Sequence, residues 1–140
     1  MPVLLNHPWP KKKDKFTTIN VLGTDYDIYL HDKKQDDALE RLDGYCSYER
    51  KYIVIDKDQP FLHLQHILKH EIVHATLYES GLDSQTNWAT DEEIVDWIAH
   101  QLYKMANNSV DATKALDRHY RELAKAIKEE KEQKKWKNIT

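Results

Sequence analysis

Cysteine occurs once in the 140 residues, at Cys46, so no intramolecular disulfide can form. No stretch has the apolar core of a secretory leader, because Met1 to Leu5 is too short and Asn6-His7-Pro8 interrupts it. No apolar run reaches the length that crosses a bilayer. A single cytoplasmic domain in a reducing setting is the expectation. Glycine and proline are scarce, at three and four residues, and three of the prolines lie within the first 15. With the run Lys11-Lys12-Lys13-Asp14-Lys15 they mark residues 1–15 as a flexible arm. Net charge is small, −3, but unevenly spread. Residues 111–140 hold 9 Lys/Arg and 6 Asp/Glu, against 12 and 18 in the rest of the chain. A basic end of this kind reads first as the solvated end of a helix and second as a contact for an acidic partner. Nucleic acid and membrane are not expected partners.

What is present has two periods. Phe16-Thr-Thr-Ile-Asn-Val-Leu22 and Asp25-Tyr-Asp-Ile-Tyr-Leu30 alternate around a Gly23-Thr24 turn, which predicts a hairpin. Residues 32–43 suit one short helix stopped by Gly44, and Tyr45-Cys-Ser-Tyr48 and Lys51-Tyr-Ile-Val-Ile-Asp56 a second strand pair or one bent strand. From Pro60 the spacing of Leu64, Leu68, Ile72 and Ala75 predicts an amphipathic helix, with Gly81 as its left-handed cap. Thr90-Asp-Glu-Glu93 has the pattern of a capping box, Thr90 at N-cap and Glu93 at N3. The helix it opens carries Ile94, Ile98, Leu102 and Met105. After Asn107-Asn108 a last helix carries Leu116, Tyr120, Leu123 and Ile127, and Trp136 could anchor the end beyond it. The expected division is an arm at 1–15, a domain at 16–110 and a basic C-terminal helix at 111–140, packed on the domain or extending from it. No internal repeat is present.

The chemistry sits in H-E-I-V-H, residues 70–74. Residues four apart on a helix share one face, so His70 and His74 present two imidazoles from adjacent turns. Two such nitrogens suit two corners of a zinc tetrahedron, though other divalent metals fit the same donors. Glu71, rotated about 100° from His70, is badly placed as a ligand and well placed as a general base toward a water activated by the metal. A third ligand must come from elsewhere. Glu92 is the first candidate and Glu93 its competitor; the capping box favours Glu92 by occupying Glu93. Asp96, one turn on, can accept the second ring N–H of a ligand histidine and fix its tautomer. His63 and His66 lie on the same helix, where exposure is the simpler reading and cleft lining the alternative. His100 is far for a ligand and suits a substrate contact. Tyr78 can reach an oxyanion, with core packing the better account. Cys46 reads as a small half-buried residue.

His70-Glu-Ile-Val-His74 followed by Glu92-Glu-Ile-Val-Asp96-Trp-Ile-Ala resembles the gluzincin type of zinc metallopeptidase. More narrowly it is similar to small zincin-like proteins of bacteriophages and Gram-positive bacteria, distantly similar to the ImmA/IrrE group. There the ligand glutamate is followed by a small residue at +3, Asn or Asp at +4 and an apolar-Ala pair at +6 and +7. Val95, Asp96 and Ile98-Ala99 match when counted from Glu92. The resemblance covers about residues 17 to 105. It implies an α+β, zincin-like fold: a small, mostly antiparallel sheet packed on the HExxH helix, plus two further helices. It also implies an edge strand above the cleft that pairs with an extended peptide, and Lys51 to Asp56 is the expected strand. The activity implied is zinc-dependent hydrolysis of a peptide or protein substrate. The alternative is a non-catalytic protein that keeps the zinc scaffold and binds a partner through the basic helix.

Overall fold

The structure, a computed structural model, describes residues 10–139. Residues 1–9 of the expected arm lie outside the described residues. Strand β1 (Thr17–Val21) pairs antiparallel with β2 (Thr24–His31). The turn between them is Leu22-Gly23, both at positive φ (50° and 95°). That is the geometry whose twist suits a two-residue hairpin, and glycine takes the more demanding position without a Cβ clash. A short 3₁₀ turn at Asp37–Glu40 replaces the helix expected over residues 32–43, opened by the Asp36 side chain accepting from the Ala38 N–H. Strands β3 (Gly44–Ser47) and β4 (Tyr52–Asp56) form an antiparallel pair.

The sheet order is β1-β2-β4-β3, and β2 and β4 run parallel. The fold is thus α+β with a mixed four-stranded sheet. Lys51 to Asp56 is not an edge strand. β4 lies inside the sheet and all five of its residues are buried. A strand covered on both faces reads as a continuous apolar run, which Tyr52-Ile-Val-Ile55 is. The edges are β1 and β3.

Each face of the sheet has its own cover. Tyr29, Leu39, Tyr45, Tyr52 and Val54 cluster on one side, beneath the 3₁₀ turn. On the other, Val21, Tyr26, Ile28, Ile53 and Ile55 meet Ile67 and Ala75 of α1 (Phe61–Glu79). Gly44 makes the approach of β3 to α1 possible, since a Cβ there would lie 2.6 Å from Ile67 Cγ2 and 3.0 Å from the Val54 carbonyl oxygen. Gly81, at φ 80°, closes α1 in the left-handed conformation, and its N–H donates to the Tyr78 carbonyl.

After the four-residue α2 (Leu82–Gln85) the chain enters α3 (Glu92–Ile139). Its N-cap is Asp91, whose Oδ1 accepts from the N–H groups of Glu93 and Ile94 at 3.0 and 3.3 Å. The capping box based on Thr90 does not form, because aspartate caps as well as threonine and stands one residue nearer the helix. The break expected at Asn107-Asn108 is absent too. No glycine or proline follows Gly81, and asparagine costs a helix only a fraction of a kcal/mol.

Two compact units divide within α3, residues up to Gln101 and residues from Leu102 on. In the first, α3 turns Val95 and Ala99 toward Val73, Leu77 and Ala89, while Ile94 stays exposed. Of the expected face of larger residues, Ile98 packs against this cluster and Ile94 does not; the small side chains of Val95 and Ala99 allow the closer helix approach. The described residues of the second unit are all helical, and Leu116, Tyr120, Leu123, Ile127 and Trp136 are exposed. No helix among the described residues is long and apolar enough to cross a membrane.

Candidate metal centre

Helix α1 lies between the sheet and the start of α3, so one of its faces looks into a cleft of about 790 Å³. His63, His66, His70, Glu71 and His74 of α1 line this cleft. Glu92 and Asp96 of α3 close one side, and Asp43 to Cys46 with Tyr48 close the other.

At its centre His70 Nε2 and His74 Nε2 stand 3.1 Å apart. Glu92 Oε2 is 2.9 Å from the first and 3.3 Å from the second. Three donors about 2.0–2.1 Å from a tetrahedral ion lie about 3.3 Å from one another, so the spacing suits one divalent cation with little adjustment. The group His70, His74 and Glu92 could hold a metal ion, as could His66, His70 and Asp96. Glu92 can lean over the histidines because it is the first residue of its helix, where its charge also suits the N-terminal dipole. Glu93 belongs to neither group.

Asp96 sits one turn further. Its Oδ1 is 3.1 Å from His70 Nδ1 and 2.7 Å from His66 Nε2. With Nδ1 turned to Asp96, Nε2 is the His70 nitrogen that faces Glu92 and His74. Partial burial pushes the Asp96 carboxyl up, but hydrogen bonds from His66 and His70 outweigh it and hold the group below its ordinary range. Burial lowers the His74 imidazole against the pull of Glu92, which favours the neutral, ligating form.

Glu71 is different. It is buried, no hydrogen bond to its carboxylate occurs among the described residues, and burial pushes it up to about 7. The charge of His70 opposes that rise and the charge of Glu92 adds to it.

Of the remaining candidates, His63 pairs with Asp43 at 2.9 Å and His66 with Asp96. His100, expected as a substrate contact, stacks on His66 with ring centroids 4.0 Å apart. Tyr78 stacks on Tyr48 at 4.5 Å, carries the Lys51 ammonium over its ring at 4.8 Å, and is not part of the cleft lining. Cys46 does line the cleft, and burial pushes its thiol up, away from the reactive thiolate. Sequence reasoning missed Tyr48 and Asp43 as lining residues; both sit in turns with no periodic signal.

No protein-family model matches the chain, and no curated protein or solved structure matches it.

Proposed function

We propose that the chain is a zinc-dependent metallopeptidase of zincin-like fold, acting on a peptide or protein substrate. The observation that carries this reading is the convergence of His70 Nε2, His74 Nε2 and Glu92 Oε2 beside a buried carboxyl, Glu71, that accepts no hydrogen bond among the described residues, in one open cleft. A structural metal site has no need of that carboxyl.

A zinc ion held by the three residues would supply a Lewis acid that polarises a carbonyl and acidifies water. Asp96 holds His70 in the tautomer that such an ion requires. Glu71, which lines the same cleft beside the three ligands, takes a proton from the attacking water and returns it to the leaving amine. The free edge of β3 borders the cleft through Gly44, Tyr45 and Cys46. An extended peptide adding there would gain main-chain hydrogen bonds and present its side chains alternately to the cleft.

The test is a pool of internally quenched peptides incubated with zinc-loaded protein. Wild type cleaves, Glu71→Gln keeps about one zinc per chain and does not, and His74→Ala loses zinc and cleavage together. Cleavage that survives Glu71→Gln would remove the mechanism.

A second reading, a zinc-containing scaffold that binds a partner without catalysis, draws on the exposed row Leu116, Tyr120, Leu123 and Ile127. Partner binding that survives deletion of residues 111–140 would end it.

A further inference from the structure

Among the described residues, the second unit holds no element besides α3. A lone helix has no core, and helices in proteins draw most of their stability from packing an apolar face. This one carries such a face. Leu116, Tyr120, Leu123 and Ile127 follow one another at steps of four, three and four residues, and all are exposed. The same alternation leads back through Thr113, Ser109 and Ala106 to Leu102, all exposed as well. A period of 3.5 residues, rather than the 3.6 of a straight helix, marks the seam that helices share in a left-handed coiled coil. Met105, Val110, Ala112, Ala124 and Ala126 widen the face, and Lys114, Arg118, Arg121 and Lys125 lie away from it.

We propose that residues 102–127 form an antiparallel two-stranded coiled coil with a second copy of this chain. The proposal needs neither the metal nor hydrolysis, and it gives to a second copy the row that the scaffold reading gives to a partner. The order of side-chain sizes picks both the occupant and the direction. Antiparallel pairing about an axis between Lys114 and Ala115 sets Leu102 against Ile127 of the other copy. It also sets Ala106 against Leu123, Ser109 against Tyr120 and Thr113 against Leu116. The last three layers each join a small side chain to a large one, and the two-fold axis repeats every layer. Such a seam fills at even width. Parallel pairing in register would put Tyr120 on Tyr120 and Ser109 on Ser109, crowding one end and leaving the other underpacked.

The two hydroxyls in the seam need no outside partner. Thr113 Oγ1 donates to the Ser109 carbonyl at 2.8 Å, and Ser109 Oγ to the Ala106 carbonyl at 2.9 Å. Both therefore enter an apolar layer with their donors satisfied. Charge favours the same direction. Beyond Ile127 the seam positions are Glu130 and Lys134, and residues 128–137 hold five lysines and three glutamates. A parallel pair would set Glu130 on Glu130 and Lys134 on Lys134 and join two basic ends, whereas antiparallel pairing keeps them apart. The area suffices too. Seven apolar side chains of this face are 46–62 % exposed. At on the order of 100 Å² each they offer roughly 700 Å² per copy, close to the about 800 Å² per partner of a standard interface.

The experiment is sedimentation equilibrium of the full chain across the micromolar range, with and without zinc. Wild type is expected to be a dimer in both. Leu123→Glu is expected to raise its dissociation constant by about 30-fold or more, and Ala106→Lys alone to weaken it as well. Lys125→Glu, on the far side of the helix, leaves it unchanged. Ala106→Lys and Leu123→Glu in one chain are expected to restore the dimer, because antiparallel pairing sets each new lysine against a new glutamate of the other copy. Parallel pairing would oppose like charges at both positions and keep the copies apart. Recovery also shows that Leu123→Glu acts at the seam and not by misfolding. A monomeric wild type would leave the row to a different partner and overturn the proposal. A higher oligomer, a dimer indifferent to Leu123→Glu, or a double variant that fails to recover would overturn it as well.

Discussion

Helix α1 carries two sheltered glutamates two turns apart, and they have opposite characters. Glu79 is half-buried and fully partnered: Lys51 Nζ and the Tyr26 hydroxyl each donate to Oε1 at 2.6 Å, and the Thr24 hydroxyl donates to Oε2 at 3.3 Å. The Lys51 hydrogen bond first, and then that of Tyr26, hold its carboxyl below the ordinary range. Glu71 is more buried and receives no such donor, and it rises to about 7. Residue type and helix are shared, so burial and partners together decide the difference. Glu79 ties β2 and the β3–β4 turn to the end of α1. Glu71 contributes nothing comparable to the fold, and unpaired burial of a carboxyl is the arrangement expected where proton transfer is needed.

The largest effect that separates them is catalytic. Under the proposed reading, Glu71→Gln lowers peptide cleavage by about 10²–10⁴-fold, with zinc content kept and thermal stability equal to or above wild type. Glu79→Gln should do the reverse, lowering the unfolding temperature and leaving cleavage per folded molecule unchanged. Parallel melting curves and peptide assays on the two variants decide it. Equal losses of activity would mean that both glutamates are structural.

Next in size is a change to the frame that holds the two helices. Ala99 is fully buried against the Val73 and Leu77 side of α1. Ala99→Leu overpacks that contact and costs about 1–3 kcal/mol by chemical denaturation. It also moves Glu92 and Asp96 off the histidines, so zinc affinity falls although no ligand is altered. An unchanged affinity would show that the centre tolerates displacement of α3.

The same frame shows how much could be read from residues alone. Four-residue spacing on each of two helices makes the meeting of His70, His74, Glu92 and Asp96 foreseeable once the helices are neighbours, since such side chains share a face. The hairpin, the β3–β4 pair and the Gly81 cap are equally local signals. The parallel pairing of β2 with β4 is not local, and nothing near either strand records it. The buried face of α3 was only partly legible: of Ile94, Ile98, Leu102 and Met105 only Ile98 packs against the core, because close helix contact selects the small Val95 and Ala99. The N-cap was ambiguous because Thr90 and Asp91 are adjacent and both cap well. His66 and His100 stand beyond the H-E-I-V-H and E-x-x-x-D patterns; His100 lies one turn from Asp96 on α3, and the antiparallel run of the helices brings His66 to the same carboxylate.

A smaller effect sharpens the structural side of the comparison. Tyr26 is fully buried, and its hydroxyl donates to Glu79. Tyr26→Phe removes that bond while Lys51 and Thr24 still serve the carboxylate, so the loss is about 1 kcal/mol, the net worth of one hydrogen bond. Because the hydroxyl contributes to the low proton affinity of Glu79, the variant should also unfold less steeply with acid. A loss far above this would mean that the hydroxyl holds more of the packing than its single bond suggests.

The smallest effect is the pH dependence itself. A carboxyl whose folded pKa lies below its unfolded value of about 4.3 binds protons more readily in the unfolded chain. Its contribution to stability is then complete above that unfolded value and disappears as pH falls through the folded one. Glu79 therefore stabilises the fold at neutral pH, and acid removes that contribution. Glu79→Gln has nothing to titrate there. It should start below wild type near pH 6, and its unfolding temperature should fall less between pH 5 and pH 3, so that the two curves converge in acid. Curves that stay parallel would show that Glu79 acts through packing rather than charge, and the contrast with Glu71 would then rest on Glu71 alone.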